Sequence, residues 1–361
     1  MRRMKLNFDK FHWANLTKFA AVAILLTGCF PTRSMAQQQG QKTFSSPEDA
    51  SNALVTAVQS NDESAMLDIL GPDGEQIVYC DTGVEIPMAS ALARKALKGL
   101  VREARAFDLP VCARILSPPV DERFFVKVIG RGYPPPTDKF RWCTDRLRID
   151  PVSRFLESEE LDSATVVLGV RESESSTRHL TLTENRTHDR FWKKQRGTRN
   201  RRLFMPIVNY SISDVWLVNL LVDRPRTLRA KEVANLYADA SAECPTLRDI
   251  KGAPCGKARF GCWTCTVAKN GVTLRNLIAH GEHRLEPLLQ FRLWMEKERN
   301  NPTNRWPTRR NGKPGLGPMT LKWRRTAFSK LLKAQEQSGL NLIDSEEVSA
   351  IHREWAADDA Q

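Results

Sequence analysis

The segment Cys255–Cys265 carries the densest chemistry in the sequence, because three of the eight cysteines fall within its eleven residues. Cys262 and Cys265 form a Cys-x-x-Cys, a spacing that lets two thiolates of one turn bind the same metal ion. Gly256 and Gly261 favour the tight backbone of such a turn. Neighbouring lysine and arginine side chains favour thiolate over thiol. The segment therefore predicts a metal site.

A fourth ligand has to come from another part of the chain. Cys143, in Phe140-Arg-Trp-Cys-Thr-Asp-Arg, is the first candidate, with Cys244 and Cys80 in reserve. Four cysteines suit either tetrahedral zinc or a 4Fe-4S cluster. The spacing Cys-x6-Cys-x2-Cys lacks the paired Cys-x2-Cys of a zinc ribbon, so it favours the cluster. The alternative is a set of buried free cysteines, with a disulfide if the chain is exported.

The charge of the chain favours an anionic partner. The formal net charge is +13 over 361 residues, a length for which two domains are the usual expectation. Such an excess is typical of proteins that bind nucleotides, DNA, RNA or an anionic membrane surface. Two basic stretches, Arg178–Arg202 and Arg305–Lys313, concentrate this charge. The first can equally be a solvated or disordered insert, and a basic surface without any partner gives the same net charge.

The N-terminal segment has the pattern of an export signal. Residues 1–18 are basic and polar, and residues 19–30 form an uncharged apolar run that is short for a membrane span. Leu26-Thr-Gly-Cys29 resembles a lipoprotein cleavage box, in which Cys29 would carry the lipid and anchor the protein. A small-residue site ending at Ala36 is a competing cleavage point. The alternative is an amphipathic helix that remains on the protein.

The elements that must position the cysteines read as alternating strands and helices. We expect strands at Gln76–Asp81, Val111–Leu116 and Ala164–Val170, with helices at residues 88–107 and Phe140–Leu156 between them. The third strand is wholly apolar, as in a parallel sheet that is covered on both faces. The order indicates βαβ units and a doubly wound sheet, which binds ligands at the carboxyl ends of its strands.

Side chains for such a ligand follow two of these strands. Asp81 ends the first predicted strand, and Arg171 follows the third. The rest of the chain is predicted to be helical, with helices near Ser213 and at Glu282–Glu298, Leu321–Ser338 and Ser345–Trp355.

Four ordered motifs carry a resemblance to a known family. They are Tyr79-Cys-Asp-Thr-Gly-Val-Glu-Ile-Pro, Arg141-Trp-Cys-Thr-Asp-Arg-Leu-Arg-Ile, Gly169-Val-Arg-Glu-Ser and Arg259-Phe-Gly-Cys-Trp-Thr-Cys. From about residue 77 to 361 the chain resembles the DndC family of DNA phosphorothioation sulfurtransferases, which is similar to phosphoadenosine-phosphosulfate (PAPS) reductases and ATP pyrophosphatases. Residues 1–76 resemble the start of a family of secreted bacterial proteins of unknown function.

The DndC resemblance implies a fold, a reaction and partners. The fold would be an adenine-nucleotide α-hydrolase-like α/β domain with a parallel sheet. ATP would be the substrate that activates sulfur transfer into the DNA backbone. The partners would be DNA, a cysteine desulfurase and the other DNA phosphorothioation proteins.

The same resemblance assigns residues to two sites. Cys143, Cys255, Cys262 and Cys265 would hold a 4Fe-4S cluster. For the nucleotide, the implied residues are Asp81, Thr82, Gly83, Arg171 and Arg178. Guanidinium groups suit phosphate because they bind it bidentately.

One departure from the family limits this prediction. The Ser-Gly-Gly-x-Asp-Ser phosphate loop has no counterpart, and Gly71-Pro-Asp-Gly-Glu-Gln76 stands in its place. Its proline removes one amide donor and its carboxylates repel phosphate. We therefore expect a sheet without its first strand, with weak ATP binding and little turnover. The chain reads as a fusion, and a gene-model artefact would give the same sequence.

The predicted organisation has four parts. Residues 1–36 are a signal or lipoprotein-type segment, 37–76 a small helical segment, 77–240 the truncated α/β domain, and 241–361 the cysteine loop with a helical region. The signal implies export or membrane anchoring, whereas ATP, DNA and a reduced cluster imply the cytoplasm. Three functions stay open: an impaired DNA sulfurtransferase, a lipid-anchored or secreted non-enzymatic protein, and a zinc-stabilised nucleic-acid-binding module.

Overall fold

The computed structural model of the chain describes residues 75–109, 111–158, 165–174, 191–194, 202–221, 229–241 and 261–359, with isolated positions between 49 and 65. It is a mixed α/β structure rich in helices. The chain forms two compact units. The first unit contains Met1–Ile77, Gly99–Ala113 and Glu159–Arg226, and the second contains Val78–Lys98, Arg114–Ser158 and Thr227–Gln361. The domain boundaries given above stay a prediction.

The described strands and helices follow one another along the chain. They are β1 (Glu75–Cys80), α1 (Pro87–Ala106), β2 (Val111–Leu116), α2 (Trp142–Thr144), α3 (Asp150–Ser158), β3 (Thr165–Val167), β4 (Trp192–Lys194), β5 (Arg202–Phe204), α4 (Ile212–Leu221), α5 (Ala230–Ser241), α6 (Val272–Ala279), α7 (Glu286–Glu298), α8 (Leu321–Ser338) and α9 (Ser345–Asp359). A π-helical stretch, Asp145–Ile149, joins α2 to α3.

The strands form two small sheets. β1 is the neighbour of β2 in one sheet, and the other has the order β3-β5-β4. β3 pairs with β5 in parallel, with Thr165 opposite Arg202, whereas β4 pairs with β5 antiparallel, with Trp192 opposite Phe204. All three residues of β3 are half-buried, so this strand is not the fully covered strand that its apolar sequence predicted. A five-stranded parallel sheet is not confirmed among the described residues.

Several predicted elements are confirmed. β1, α1 and β2 lie within one residue of the predicted strand, helix and strand, and α8 has the predicted bounds. Thr320 caps the start of α8 by accepting a hydrogen bond from the Trp323 N–H at 3.3 Å. Gly339 ends the helix with φ of +64°, a left-handed conformation that glycine adopts without steric cost.

The second unit has one large apolar core. Helices α7 and α8 meet at Trp294 and Trp323, whose rings stack with centroids 5.1 Å apart and planes 9° apart. Phe291 of α7 continues this aromatic layer through its own contact with Trp294. The core residues buried around these rings include Phe125, Val126, Val128, Leu277, Leu288, Met295, Met319, Ala327, Leu331 and Ile351. This core supports one side of the cysteine segment that is described below.

No described helix combines the length and the apolar composition needed to cross a membrane.

One buried carboxyl group in α9 gives the fold a pH dependence. Burial raises the pKa of Glu347 from its ordinary value of 4.5 to about 7. Between these pH values the folded protein keeps a proton that the unfolded chain has lost. The free energy of unfolding therefore falls as the pH rises from about 4.5 to about 7.

We predict that Glu347→Gln removes most of this fall, because an amide does not titrate. Relative to the wild type, the variant should gain about 1–3 kcal/mol between pH 5 and pH 8. Urea unfolding at the two pH values measures the effect. Glu346→Gln is the control, since the Glu346 side chain is 67% exposed. If both variants follow the wild-type pH dependence, the Glu347 assignment is wrong.

Candidate cysteine site

The second unit holds the Cys-x-x-Cys in a short loop, Gly261–Ala268, which we call the cysteine loop. The Cys265 N–H donates to the Cys262 carbonyl at 3.0 Å, so the two cysteines lie on one turn. The loop also pairs with the chain that follows β1. The Trp263 N–H donates to the Val84 carbonyl at 2.9 Å, and the Ile86 N–H donates to the Gly261 carbonyl at 3.2 Å. Two motifs that are distant in sequence are thereby joined through their backbones.

Trp263 anchors the cysteine loop in the core. Its side chain is 3% exposed. Its ring centroid lies 6.0 Å from that of Phe125 and 5.9 Å from that of Phe291. These distances are typical of favourable aromatic pairs. Because Trp263 stands directly after Cys262, its burial fixes where that thiol lies.

Three of the four predicted metal ligands line one cavity. The cavity has a volume of about 780 Å³, and Cys143, Cys262 and Cys265 all contribute to its wall. Cys143 comes from α2, whereas the other two come from the cysteine loop. Thr82 of the predicted nucleotide site lines the same cavity. Arginines reach it too, namely Arg141, Arg148 and Arg292.

Burial favours the protonated form of two of the cavity thiols, those of Cys143 and Cys262. Burial raises the pKa of Cys262 to about 11, although the hydrogen bond between the Thr82 hydroxyl and the Cys262 sulfur, at 3.5 Å, opposes this shift. Burial also raises the pKa of Cys143, and the electrostatic interaction with the nearby Cys265 adds to that effect. A bound cation would oppose both shifts, because it stabilises thiolates.

The described side chains do not form a ready-made metal site. Within the described part of the chain, no group of three His, Cys, Asp or Glu residues is placed to hold a metal ion. The fourth predicted ligand, Cys255, and the reserve Cys244 lie outside the described residues. Cys80, the other reserve, donates its thiol hydrogen to the Leu147 carbonyl at 3.1 Å. The cysteines are thus gathered around one cavity without being arranged as metal ligands.

The residues predicted to bind a nucleotide are only partly free to do so. Asp81 forms an ion pair with Arg94, and its other oxygen accepts the Gly83 N–H at 3.0 Å. Gly83 has φ of +75°, so the turn after β1 needs glycine. Both carboxylate oxygens of Asp81 are therefore occupied in shaping this turn, while Thr82 faces the cavity.

The remaining predicted site residues lie elsewhere. Arg171 belongs to the first unit, where its guanidinium donates to the Ser173 hydroxyl at 3.1 Å. Arg178 and the predicted lipidation site Cys29 lie outside the described residues. Their predicted roles stay predictions.

Sequence reasoning missed three residues of the site. Thr264 is fully buried inside the Cys-x-x-Cys, and its hydroxyl has no hydrogen-bond partner among the described residues. Arg292 and Arg299 donate to carbonyls of the cysteine loop. Only Arg292 gave a signal, as an arginine between the apolar residues Phe291 and Leu293 of a helix.

Similarity to known proteins is limited. A family described as a protein of unknown function, DUF2950, matches residues 41–100. The chain is also similar to the uncharacterized protein MJ0066 of Methanocaldococcus jannaschii, with 28% identity over 160 residues. That alignment covers 44% of this chain and 28% of the length of the archaeal protein. No solved structure matches the chain.

These comparisons correct the family assignment. The resemblance to the DndC sulfurtransferases and the PAPS reductases is wrong, because the matches are a family of unknown function and an uncharacterized protein. The motifs that suggested it are each only five to nine residues long and rich in cysteine, glycine and arginine. Segments of this kind arise wherever a turn needs glycine or a thiol stands beside a cation, so their order alone does not define a family.

We predict that Cys262 reacts slowly with iodoacetamide, because the reactive form is the thiolate and its pKa is about 11. In the metal-free protein the rate should rise about tenfold for each pH unit between 7 and 10. Thr82→Val should slow the reaction further, since it removes a hydrogen bond to the sulfur. Tandem mass spectrometry of the peptide 260–269 separates Cys262 from Cys265. A rate that levels off near pH 8 would contradict the raised pKa.

Proposed function

We propose that the second unit holds a thiolate metal centre in the cysteine cavity. Cys143, Cys262 and Cys265 would be ligands, with Cys255 as the fourth. The observation that supports the proposal is that three cysteines from two distant segments line one cavity. A protein that used these thiols only as small apolar side chains would have no reason to gather them around an open space.

The surroundings of the cavity fit such a centre. A centre with four thiolates, whether zinc or a 4Fe-4S cluster, is negatively charged, and Arg148 and Arg292 offer positive charge at the cavity wall. The unpartnered hydroxyl of Thr264 also fits, because a metal-bound sulfur would accept its hydrogen bond. An unsatisfied buried hydroxyl otherwise costs about 1–3 kcal/mol.

The spacing of the cysteines favours one type of centre over the other. The Cys-x6-Cys-x2-Cys pattern favours a 4Fe-4S cluster, and zinc is the alternative. A cluster would supply electron transfer or an iron site for sulfur chemistry, whereas zinc would supply stability of the fold. In both cases the chain contributes the thiolates, the neighbouring positive charge and the buried hydroxyl.

The cavity also fits an anionic ligand beside the centre. Arg141 and Arg148 are about half exposed there, at 49% and 50%. Arg141 pairs with Asp138, which is itself 67% exposed, and such surface pairs are weak enough to be displaced by a ligand. Guanidinium groups bind phosphate groups bidentately. ATP thus remains a proposed ligand of this cavity.

The segment from β1 to β2 also supports a proposal for the fold of the nucleotide-binding unit. β1, α1 and β2 follow in order, and β1 and β2 are neighbours in one sheet. Thr82 is the second residue after the end of β1 and lines the cavity. This arrangement supports an adenine-nucleotide α-hydrolase-like unit. The lack of matching solved structures leaves that fold a proposal.

The reaction itself stays a prediction. Sulfur transfer to DNA with a cysteine desulfurase as partner rests on no contact described here. The two alternatives also stay open: a lipid-anchored or secreted protein without chemistry, and a zinc-stabilised module that binds nucleic acid. The bound metal distinguishes the three functions. Iron with sulfide favours the sulfurtransferase, zinc favours the nucleic-acid-binding module, and no metal favours the lipid-anchored or secreted protein.

We predict that full-length protein purified without oxygen is brown and contains iron and sulfide in similar amounts. Cys143→Ser, Cys262→Ser and Cys265→Ser should each remove most of the colour and the bound iron. Cys112→Ser is the matched control, because Cys112 belongs to the first unit and is no part of the cavity wall.

Elemental analysis with sulfide determination tests this prediction. Stoichiometric zinc without sulfide would replace the cluster by the zinc alternative. A wild-type protein with neither metal, or equal losses in the Cys112→Ser control, would contradict the proposed centre.

A further inference from the structure

Arg292 holds the C-terminal half of the cysteine loop. Its Nε donates to the Cys265 carbonyl at 3.0 Å, and its Nη2 donates to the Ala268 carbonyl. The remaining terminal nitrogen pairs with Glu296 at 2.8 Å, one turn further along α7. The Arg292 side chain is only 2% exposed. A guanidinium group can donate in all three directions at once, which a lysine ammonium group on this stem would not reproduce.

Arg299, directly after α7, joins the cysteine loop to a second segment. Its Nη1 donates to the Thr266 carbonyl at 2.8 Å and to the Pro136 carbonyl at 2.6 Å. The Thr266 hydroxyl donates to the same Pro136 carbonyl at 2.7 Å. Thr266 is the residue after Cys265, and Pro136 lies in the segment that leads to Cys143. One guanidinium group therefore bridges the two parts of the chain that supply the cavity cysteines.

The segment around Pro136 is also bonded to α2, so its position restricts the position of that helix. The indole N–H of Trp142 donates to the Pro134 carbonyl at 3.0 Å, and the Trp142 side chain is buried against Phe124. Trp142 precedes Cys143. Arg299 thus links the Cys262–Cys265 turn to Pro136, and the backbone from Pro134 to Pro136 connects this contact to Trp142 at the start of α2.

Arg292 is buried and Arg299 is half-buried, and placing a charged group away from water is costly. A charged group that leaves water needs compensating partners, and an apolar residue of similar size often stabilises a core equally well. Here the compensation comes mainly from backbone carbonyls of the loop itself. The arginines therefore do more than fill space, because they fix the carbonyl groups next to Cys265.

We propose that Arg292 and Arg299 are positioning residues that set the separation between the Cys262–Cys265 turn and Cys143. They act through backbone carbonyl groups of the cysteine loop and the Pro136 segment, and neither is itself a proposed metal ligand. Their role in metal binding rests on the proposed function, whereas their role in ordering the loop does not. Residues that orient metal ligands typically change metal affinity by about 10- to 100-fold when they are removed.

The experiment uses the full-length, metal-free, reduced protein and Zn²⁺ as the probe. Zinc affinity is measured by competition with a chromophoric chelator for the wild type, Arg292→Met, Arg299→Met, and the conservative variant Arg299→Lys. Arg324→Met is the matched control. Arg324 is also a buried arginine of the second unit, with the Gly130 carbonyl and Asp358 as partners, and makes no contact with the cysteine loop. Thermal melting of each metal-free variant gives the loss of stability.

A second readout follows the loop without any metal. The rate of alkylation of Cys262 and Cys265 at fixed pH reports how far the cysteine loop opens. We expect Arg292→Met and Arg299→Met to lower zinc affinity by about 10- to 100-fold and to speed alkylation. Arg299→Lys should restore part of both. Arg324→Met should lower the melting temperature while leaving affinity and alkylation close to wild type.

Two results separate this inference from the proposed function. If the wild type binds neither zinc nor iron, the metal centre fails, and faster alkylation in Arg292→Met and Arg299→Met than in Arg324→Met still supports the positioning role. If the alkylation rates of these variants match that of Arg324→Met, the positioning role is overturned, whatever the wild type binds.

Discussion

The burial of Trp263 is the interaction on which the cysteine site depends. The indole ring packs against both Phe125 and Phe291, and loss of such a side chain from a core typically costs about 3–5 kcal/mol. Because Cys262 and Thr264 flank Trp263 in the sequence, burial of the indole ring restricts the backbone positions of both. The backbone pairing with Val84 then fixes the direction of the loop. The chemistry of the cavity is thus placed by an apolar contact that is not itself part of the chemistry.

Burial around the cysteine loop disfavours charged side chains of both signs. Burial disfavours thiolates, as the raised pKa of Cys262 and Cys143 indicates. Burial also lowers the pKa of Arg292, although Glu296 and the nearby Cys265 oppose that shift. A cation bound between the thiols would relieve the first cost, and thiolate charge would relieve the second. A metal centre would therefore stabilise both the buried thiolates and the buried Arg292 guanidinium group. This double stabilisation is the physical basis of the proposal.

The parts of the fold that the sequence predicted are those with strong local signals. β2 is bounded by prolines, and α8 begins at a threonine cap and ends at Gly339, so their bounds follow from nearby residues. The predicted parallel sheet was not confirmed, because an apolar run such as 164–170 shows only that a segment is part-buried and leaves open which strand it pairs with. Pairing depends on contacts between distant segments, which no local pattern encodes.

The residues of the cysteine site also divide into those that the sequence could predict and those that it could not. The Cys-x-x-Cys turn could be predicted, since two thiols three residues apart meet on any tight turn. Cys143, the first candidate among the distant cysteines, lines the same cavity, and its role as a ligand stays a prediction. Arg299, which also holds the cysteine loop, could not be predicted, because its neighbours in the sequence are those of an ordinary solvated arginine, whereas Arg292 lies between two apolar residues. The family resemblance was wrong for a related reason. Short motifs rich in glycine, cysteine and arginine reflect local requirements of tight turns and charged thiol sites, and such requirements recur in unrelated proteins.

X-ray absorption at the metal K-edge of the protein purified without oxygen tests the central claim most directly, because it counts the atoms that bind the metal. Convergence of the cavity cysteines predicts a first shell made only of sulfur, at about 2.3 Å, for either iron or zinc. A shell dominated by nitrogen or oxygen, or a protein that retains no metal, would contradict the account.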